Sequence, residues 1–324
     1  MFSSVGPSNN CKDFLRAALI LTALLSLFSG TLSYAAETMA ASSLQVPTIP
    51  PEYGRIVYQK NGQCPQQIYI IGQSHRSALT GRSGSDTVKV QSEIYRIGEW
   101  LIREQNVELL LPEGFFQKSP RKQSFESSAR RETALFDNQT LEAALSDSSR
   151  VVNADLLLNA SYKIRLGQIE DEPLYRDIRR LLREAHRSNS LYLLSKLDGL
   201  QDKRTATLLQ NIPDVVEKSF RTGRIENRKA IFTIGLAHLN EIINILQHGS
   251  LPPAADLNSG PMQGHSDEES LKLLDQGYGV TVIIPRILAE NQQILRLCKL
   301  DREGNGAPDK SAIAPGARQI ATSR

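Results

Sequence analysis

Two stretches of this chain end alike. Residues 68–77 read Ile-Tyr-Ile-Ile-Gly-Gln-Ser-His-Arg-Ser and residues 230–240 read Ala-Ile-Phe-Thr-Ile-Gly-Leu-Ala-His-Leu-Asn. In each, an apolar run stops at a glycine, Gly72 or Gly235, and a histidine, His75 or His238, follows three residues on. An imidazole just past a strand and at the start of a helix feels the positive end of the helix dipole, which disfavours the imidazolium. A neutral ring keeps a lone pair that can bind a metal ion or take a proton. One such motif arises by chance; its recurrence after a second strand-like run points to a shared site.

The flanking residues indicate how the histidines would be carried. Both apolar runs have the β-branched and aromatic composition and the length of buried strands, and each glycine can take torsions that turn a chain sharply at a sheet edge. Leu239, Ile242, Ile243 and Leu246 recur at helical spacing, so a helix is expected directly after His238. Residues 55–59 and 68–71, separated by Asn61-Gly62, are expected to pair as antiparallel neighbours. Ser85 or Asp86 would cap a helix whose inner face is Val90, Ile94, Ile97 and Leu101, and residues 107–111 read as the next strand. A strand-helix-strand crossover is parallel, and ligands collect beyond the carboxyl ends of such strands. Glu113, in Pro112-Glu113-Gly114, is therefore expected at the same sheet edge as His75, and Glu108 at the opposite one. A short strand within residues 163–169 would end in a second acidic exit, Glu170-Asp171.

Between these signals the pattern is helical. Residues 141–145 and 155–162 read as helices. Leu174, Ile178, Leu181, Leu182 and Ala185 mark a long amphipathic one, with Arg179, Arg180, Arg183, Glu184 and His186 on its wet face. Arg204 is expected to open another, with Leu208, Leu209 and Ile212 inward and a break near Pro213. A short helix at 268–275 and a strand at 280–284 close the pattern. Residues 118–131 read as a polar, solvated insertion, His248 as a helix-end cap and His265 as part of a Pro, Gly and Ser linker. The fold class expected is α/β: a mixed, largely parallel central sheet flanked by helices, with a helical insertion between the two Gly-x-x-His halves.

Composition adds compartment. Lys12 and Arg16 lead into an apolar run at 17–32, followed by small residues around Ala35, which reads as a secretory signal over residues 1–35 and implies a periplasmic or secreted protein. Left uncleaved, the same segment would be a membrane anchor. Removing it takes away Lys12, Arg16 and Asp13, so the formal charge of +3 becomes +2. Nothing in that balance suggests a nucleic-acid partner, and no later segment is long and apolar enough to cross a bilayer. Residues 36–52 read as a linker, 53–302 as one domain in which 115–200 is mostly a helical insertion, and 303–324 as a disordered tail. Cys64 and Cys298 remain after export, either bridged or as two separate thiols.

The sequence has no His-Glu-x-x-His, Cys-x-x-Cys, phosphate-binding or dinucleotide-binding motif, and Arg76 stands where a nucleophile elbow around Ser74 would need its last glycine. The ordered set of signals resembles the TraB/GumN/Tiki superfamily, whose α/β fold is related to the erythromycin esterases and ChaN-like proteins. The likeness runs over about residues 53–285. It consists of Gly72 to His75 on a strand end, Glu113 closing the next strand, Arg204 about thirty residues before Gly235 to His238, and a closing helix, Gly277-Tyr278 and strand. The chain departs from the pattern at Thr205, where Asn or Asp is usual after the arginine, and at Ala237, where a glycine commonly precedes the histidine.

For the Tiki members the resemblance implies a divalent-metal-dependent peptidase. Carried onto this chain, His75, His238 and Glu113 would hold manganese, cobalt or zinc, with a position left for water. Arg204 would stabilise an oxyanion and Glu170 would serve as general base. The substrate would be a peptide or another small molecule. The same resemblance leaves three other readings open: a haem- or metal-binding protein without turnover, a metal-free esterase using a histidine as base, and a scaffold without chemistry.

Overall fold

The computed structural model describes residues 48–74, 85–117, 136–146, 153–188, 190–251 and 269–300. His75, the segment read as a secretory signal, most of the linker at 36–52, the insertion at 118–131, His265 and the tail at 303–324 lie outside them.

Among the described residues six strands form one sheet in the order β1-β6-β2-β5-β3-β4. They are β1 (Gly54–Lys60), β2 (Gln67–Gln73), β3 (Leu109–Pro112), β4 (Arg165–Leu166), β5 (Lys229–Gly235) and β6 (Gly279–Pro285). β2 pairs in parallel with β5 on one side and β6 on the other, β5 continues in parallel to β3, and β3 to β4. Only β1 runs antiparallel, on the edge beside β6. The α/β class with a mostly parallel sheet is therefore as the sequence suggests. Strands β2, β3 and β6 are buried at every position, as expected of parallel strands covered on both faces.

The covering helices fall into two groups. In the first, α1 (Ser85–Glu104) packs on β2 and β6 and carries α2 (Asn138–Ser146), α3 (Ala154–Tyr162) and α8 (Arg286–Glu290). Val90, Ile94, Ile97 and Leu101 form its buried stripe, as their spacing predicts. In the second, α5 (Leu191–Arg221) packs against α4 (Glu172–Ser188), α6 (Leu239–His248) and α7 (Lys272–Asp275). A further short helix, α9 (Gln292–Leu297), follows α8. Neither α8 nor α9 was expected from the sequence. Among the described residues no helix is long and apolar enough to cross a membrane.

Four expectations need correction. The pair expected from residues 55–59 and 68–71 does not form, because β6, more than 200 residues away, inserts between β1 and β2 and takes the hydrogen bonds of both. Arg204 does not open a helix but lies midway along the 31-residue α5, which Ser190 caps by accepting from the Leu193 N–H. That helix also runs through Pro213 without stopping. An internal proline costs about 3 kcal/mol. Here the residues before it are held by tertiary bonds: Asn211 Nδ2 donates to the Ile169 carbonyl, and Gln210 bonds Ser270 O and the Lys272 N–H. The helix expected at 268–275 is confined to Lys272–Asp275, since Ser270 instead bridges to Ser250. Cys64 and Cys298 are free thiols, the first in the turn before β2 and the second at the cap of α9.

Candidate functional site

Because β2, β5 and β3 are parallel, they end together. Gln73 lies opposite Gly235, and Pro112 opposite Thr233. Proline suits this place: β4 reaches no further along β3 than Leu110, so the missing N–H at Pro112 costs no ladder bond. One residue on, Glu113 extends the ladder by donating its N–H to Thr233 O at 3.0 Å. Its carboxylate turns back over the end of β5, where Oε2 accepts the Gly235 N–H at 2.6 Å. Gly114 takes φ +71°, a torsion that glycine adopts at little cost, and its N–H donates to Glu170 Oε1 at 2.9 Å.

Gly72 and Gly235 act differently from expectation. Neither has a positive φ; Gly72 is still within β2, and Gly235 has φ −54°. What Gly72 supplies is space. A Cβ there would come within 2.4 Å of Leu239 Cδ1 and 3.1 Å of Leu236 Cδ1. Its absence lets the 3-10 turn Leu236–His238, and α6 behind it, sit directly on the end of β2.

Arg204 joins the two acidic exits. It donates to Glu113 Oε1 through Nη1 at 2.8 Å, to Glu170 Oε2 through Nε at 3.1 Å, and to Glu170 Oε1 through Nη2. Its guanidinium lies 5.2 Å from the ring centroid of Tyr175 on α4, a cation-π contact, and Phe116 meets that ring edge-on. Burial opposes the charge on Arg204. The hydrogen bonds and charges of Glu170 and Glu113 outweigh it, and its pKa rises above the ordinary arginine value. Among the described residues this one guanidinium bonds both carboxylates.

His238 completes the group as the N-cap residue of α6, at the positive end of that helix. Its Nε2 is 4.0 Å from Glu113 Oε1, and its Nδ1 is 3.0 Å from the Thr205 hydroxyl on α5. Exposure separates the members: the Glu170 side chain is 0 % exposed and Arg204 6 %, whereas Glu113 and His238 retain 12 % and 16 %. Glu113 and His238 thus form the open face and Glu170 the sealed back. With both Glu170 oxygens held by Arg204, the geometry favours an anchor for the guanidinium over the expected general base.

No family model, curated protein or solved structure gives a significant match to the chain. The site itself therefore carries the functional argument.

The structure brings together Glu113, Arg204, Glu170 and His238, all singled out by sequence. His75 is outside the described residues, but Ser74, one residue before it, lies just beyond the Gln73–Gly235 pair at the same sheet edge. Gln91 on α1 was missed. It donates to Ser74 O at 3.1 Å and accepts from the Ala154 N–H at 2.8 Å, pinning the chain where β2 ends. Tyr175, Thr205 as a contact of His238, and Glu241 were missed as well. The only trace of Gln91 in the sequence is a polar residue beside Val90 on the stripe that faces the core. A basic depression of about 630 Å³ runs along α4, lined by Tyr175, Arg176, Arg179 and Arg183, and meets the site only at Tyr175.

The donors can be compared with what a metal needs. Two ligands bound at about 2.1 Å with a tetrahedral angle lie about 3.4 Å apart. The Glu113–His238 pair at 4.0 Å comes within reach after a side-chain shift of about half an ångström. Among the described residues no three His, Cys, Asp or Glu side chains form a complete set. The third donor implied by the resemblance, His75, lies outside them.

Proposed function

We propose that the protein is an exported, divalent-metal-dependent hydrolase of peptide or amide bonds, of the TraB/GumN/Tiki kind. The observation that carries the reading is the meeting of Glu113 and His238, from separate strand exits, on the open side of a cluster sealed by Arg204 and Glu170. His75, Glu113 and His238 would hold the metal. Manganese, cobalt and zinc all suit such nitrogen and oxygen donors. When bound, the ion acidifies water and polarises a carbonyl.

The chain's own residues have distinct tasks. Glu113 is fixed by the Gly235 N–H and by Arg204, which orients its remaining lone pairs towards the open side. Arg204, held by Glu170, places positive charge beside the reacting carbonyl, where an oxyanion develops. Glu170 anchors Arg204 and stays out of the proton transfers. Tyr175 and Phe116 wall the site on the α4 side and exclude water from the guanidinium.

The test is hydrolysis of a mixed peptide library by the full chain, before and after chelation and after return of manganese, cobalt or zinc. The expected result is cleavage that chelator abolishes and one of the metals restores. Cleavage indifferent to chelator, or metal binding without cleavage, would overturn the reading.

A further inference from the structure

His238 has two ring nitrogens, and its neighbours decide which carries the proton. The Thr205 hydroxyl, 3.0 Å from Nδ1, is also 3.0 Å from the Gln201 carbonyl one helical turn back. A hydroxyl has one hydrogen and two lone pairs. A main-chain carbonyl can only accept. The single Thr205 hydrogen therefore goes to the Gln201 carbonyl. In that network the hydrogen between Thr205 and His238 comes from the ring.

We propose that Thr205 is a positioning residue: its oxygen accepts the Nδ1–H of His238, fixing the tautomer whose unprotonated Nε2 faces Glu113 and the open side of the site. The inference rests on the proposed hydrolase only for what that lone pair then does, since the tautomer is a property of the resting protein. It also gives Thr205, which departs from the asparagine or aspartate usual after the arginine, a defined task. A carboxylate would hold the ring by charge; the threonine does so by borrowing the carbonyl behind it. The arrangement is selective because isolated histidine prefers the opposite tautomer, with the proton on Nε2. It also leaves Nε2 ready to bind a cation without first losing a proton, at a pH where the ring is neutral.

The experiment is a long-range proton–nitrogen NMR spectrum of the full chain, labelled with nitrogen-15 histidine and freed of metal by chelator, at about pH 7.5, above the usual histidine pKa. The His238 signals are assigned by their loss in His238→Gln. The expected result is a protonated Nδ1 and an unprotonated Nε2, reversal towards the Nε2–H form in Thr205→Val, and the wild-type pattern in Thr205→Ser. A wild-type ring with its proton on Nε2, a mixture of both forms, or a Thr205→Val ring unchanged from wild type would overturn the proposal. Should the valine variant fail to fold, the wild-type and serine spectra decide alone. If the protein hydrolyses peptides, Thr205→Val is also expected to lower kcat/KM about 10- to 100-fold, with serine restoring it. Absence of peptidase activity would count against the hydrolase and leave the tautomer result standing.

Discussion

Arg204 is the side chain on which the others depend. Buried carboxylates are tolerated only when paired, and Glu113 and Glu170 share this one guanidinium. Arg204→Ala is expected to destabilise the protein by about 3–5 kcal/mol, measured by urea denaturation. Arg204→Lys should recover part of that, because an ammonium keeps the charge but lacks the planar fork that holds both carboxylates. A neutral outcome for the alanine would mean that the cluster is solvated in solution. Glu241 gives a pH prediction. Its carboxyl has an ordinary pKa of 4.5 and about 8 when folded, because of burial and then Asp202. Between those values the folded chain keeps a proton that the unfolded chain has lost, so stability falls as pH rises through this window. The penalty is absent below the lower value and fully present above the higher one. Glu241→Gln removes it. The urea-midpoint advantage of that variant over wild type should grow from about pH 5 to about pH 8. A constant difference would remove Glu241 as a titrating group. The sequence made Glu113, Glu170 and His238 visible because each ends a strand, where position alone suggests a role. Thr205, Glu241 and Gln91 were not visible, since a polar residue on a helix reads the same whether it faces water or a buried ring.

At the scale of elements, the site depends on how closely the turn carrying His238 approaches β2. Gly72→Ala puts a methyl 2.4 Å from Leu239 Cδ1, and Leu239 is fully buried, which leaves its side chain little room and pushes on the turn. Overpacking of this kind costs about 1–3 kcal/mol. The predicted result is a lower thermal midpoint together with a displaced His238 resonance; a resonance that stays in place would show that Leu239 yields and the turn does not. Individual strands were legible because a run such as residues 230–234 is apolar but for Thr233, as suits a central parallel strand buried on both faces. Their partners were not. Asn61-Gly62 is a good local signal for a hairpin, yet β6 offers β1 and β2 a better-buried neighbour from far along the chain. The uninterrupted α5 was hidden for a similar reason, because the bonds of Gln210 and Asn211 that offset Pro213 end on distant segments.

For the whole molecule, parallel strands gather residues from positions 113, 170, 204 and 238 at one sheet edge, a convergence that no local stretch of sequence contains. The export reading predicts that protein recovered from outside the cytoplasm begins at Ala36, read by N-terminal sequencing; recovery with Met1 intact would instead favour an anchor. The free thiols predict two titratable cysteines per exported chain in denaturant without reductant, Cys64 and Cys298, whereas none would indicate a bridge. The most direct test of the central claim is metal content. Elemental analysis of the purified full chain, after equilibration with manganese, cobalt or zinc and removal of free ions, should find about one ion per wild-type chain and almost none in His238→Ala or Glu113→Gln. A wild-type chain that retains no metal, or variants that retain as much as wild type, would contradict it.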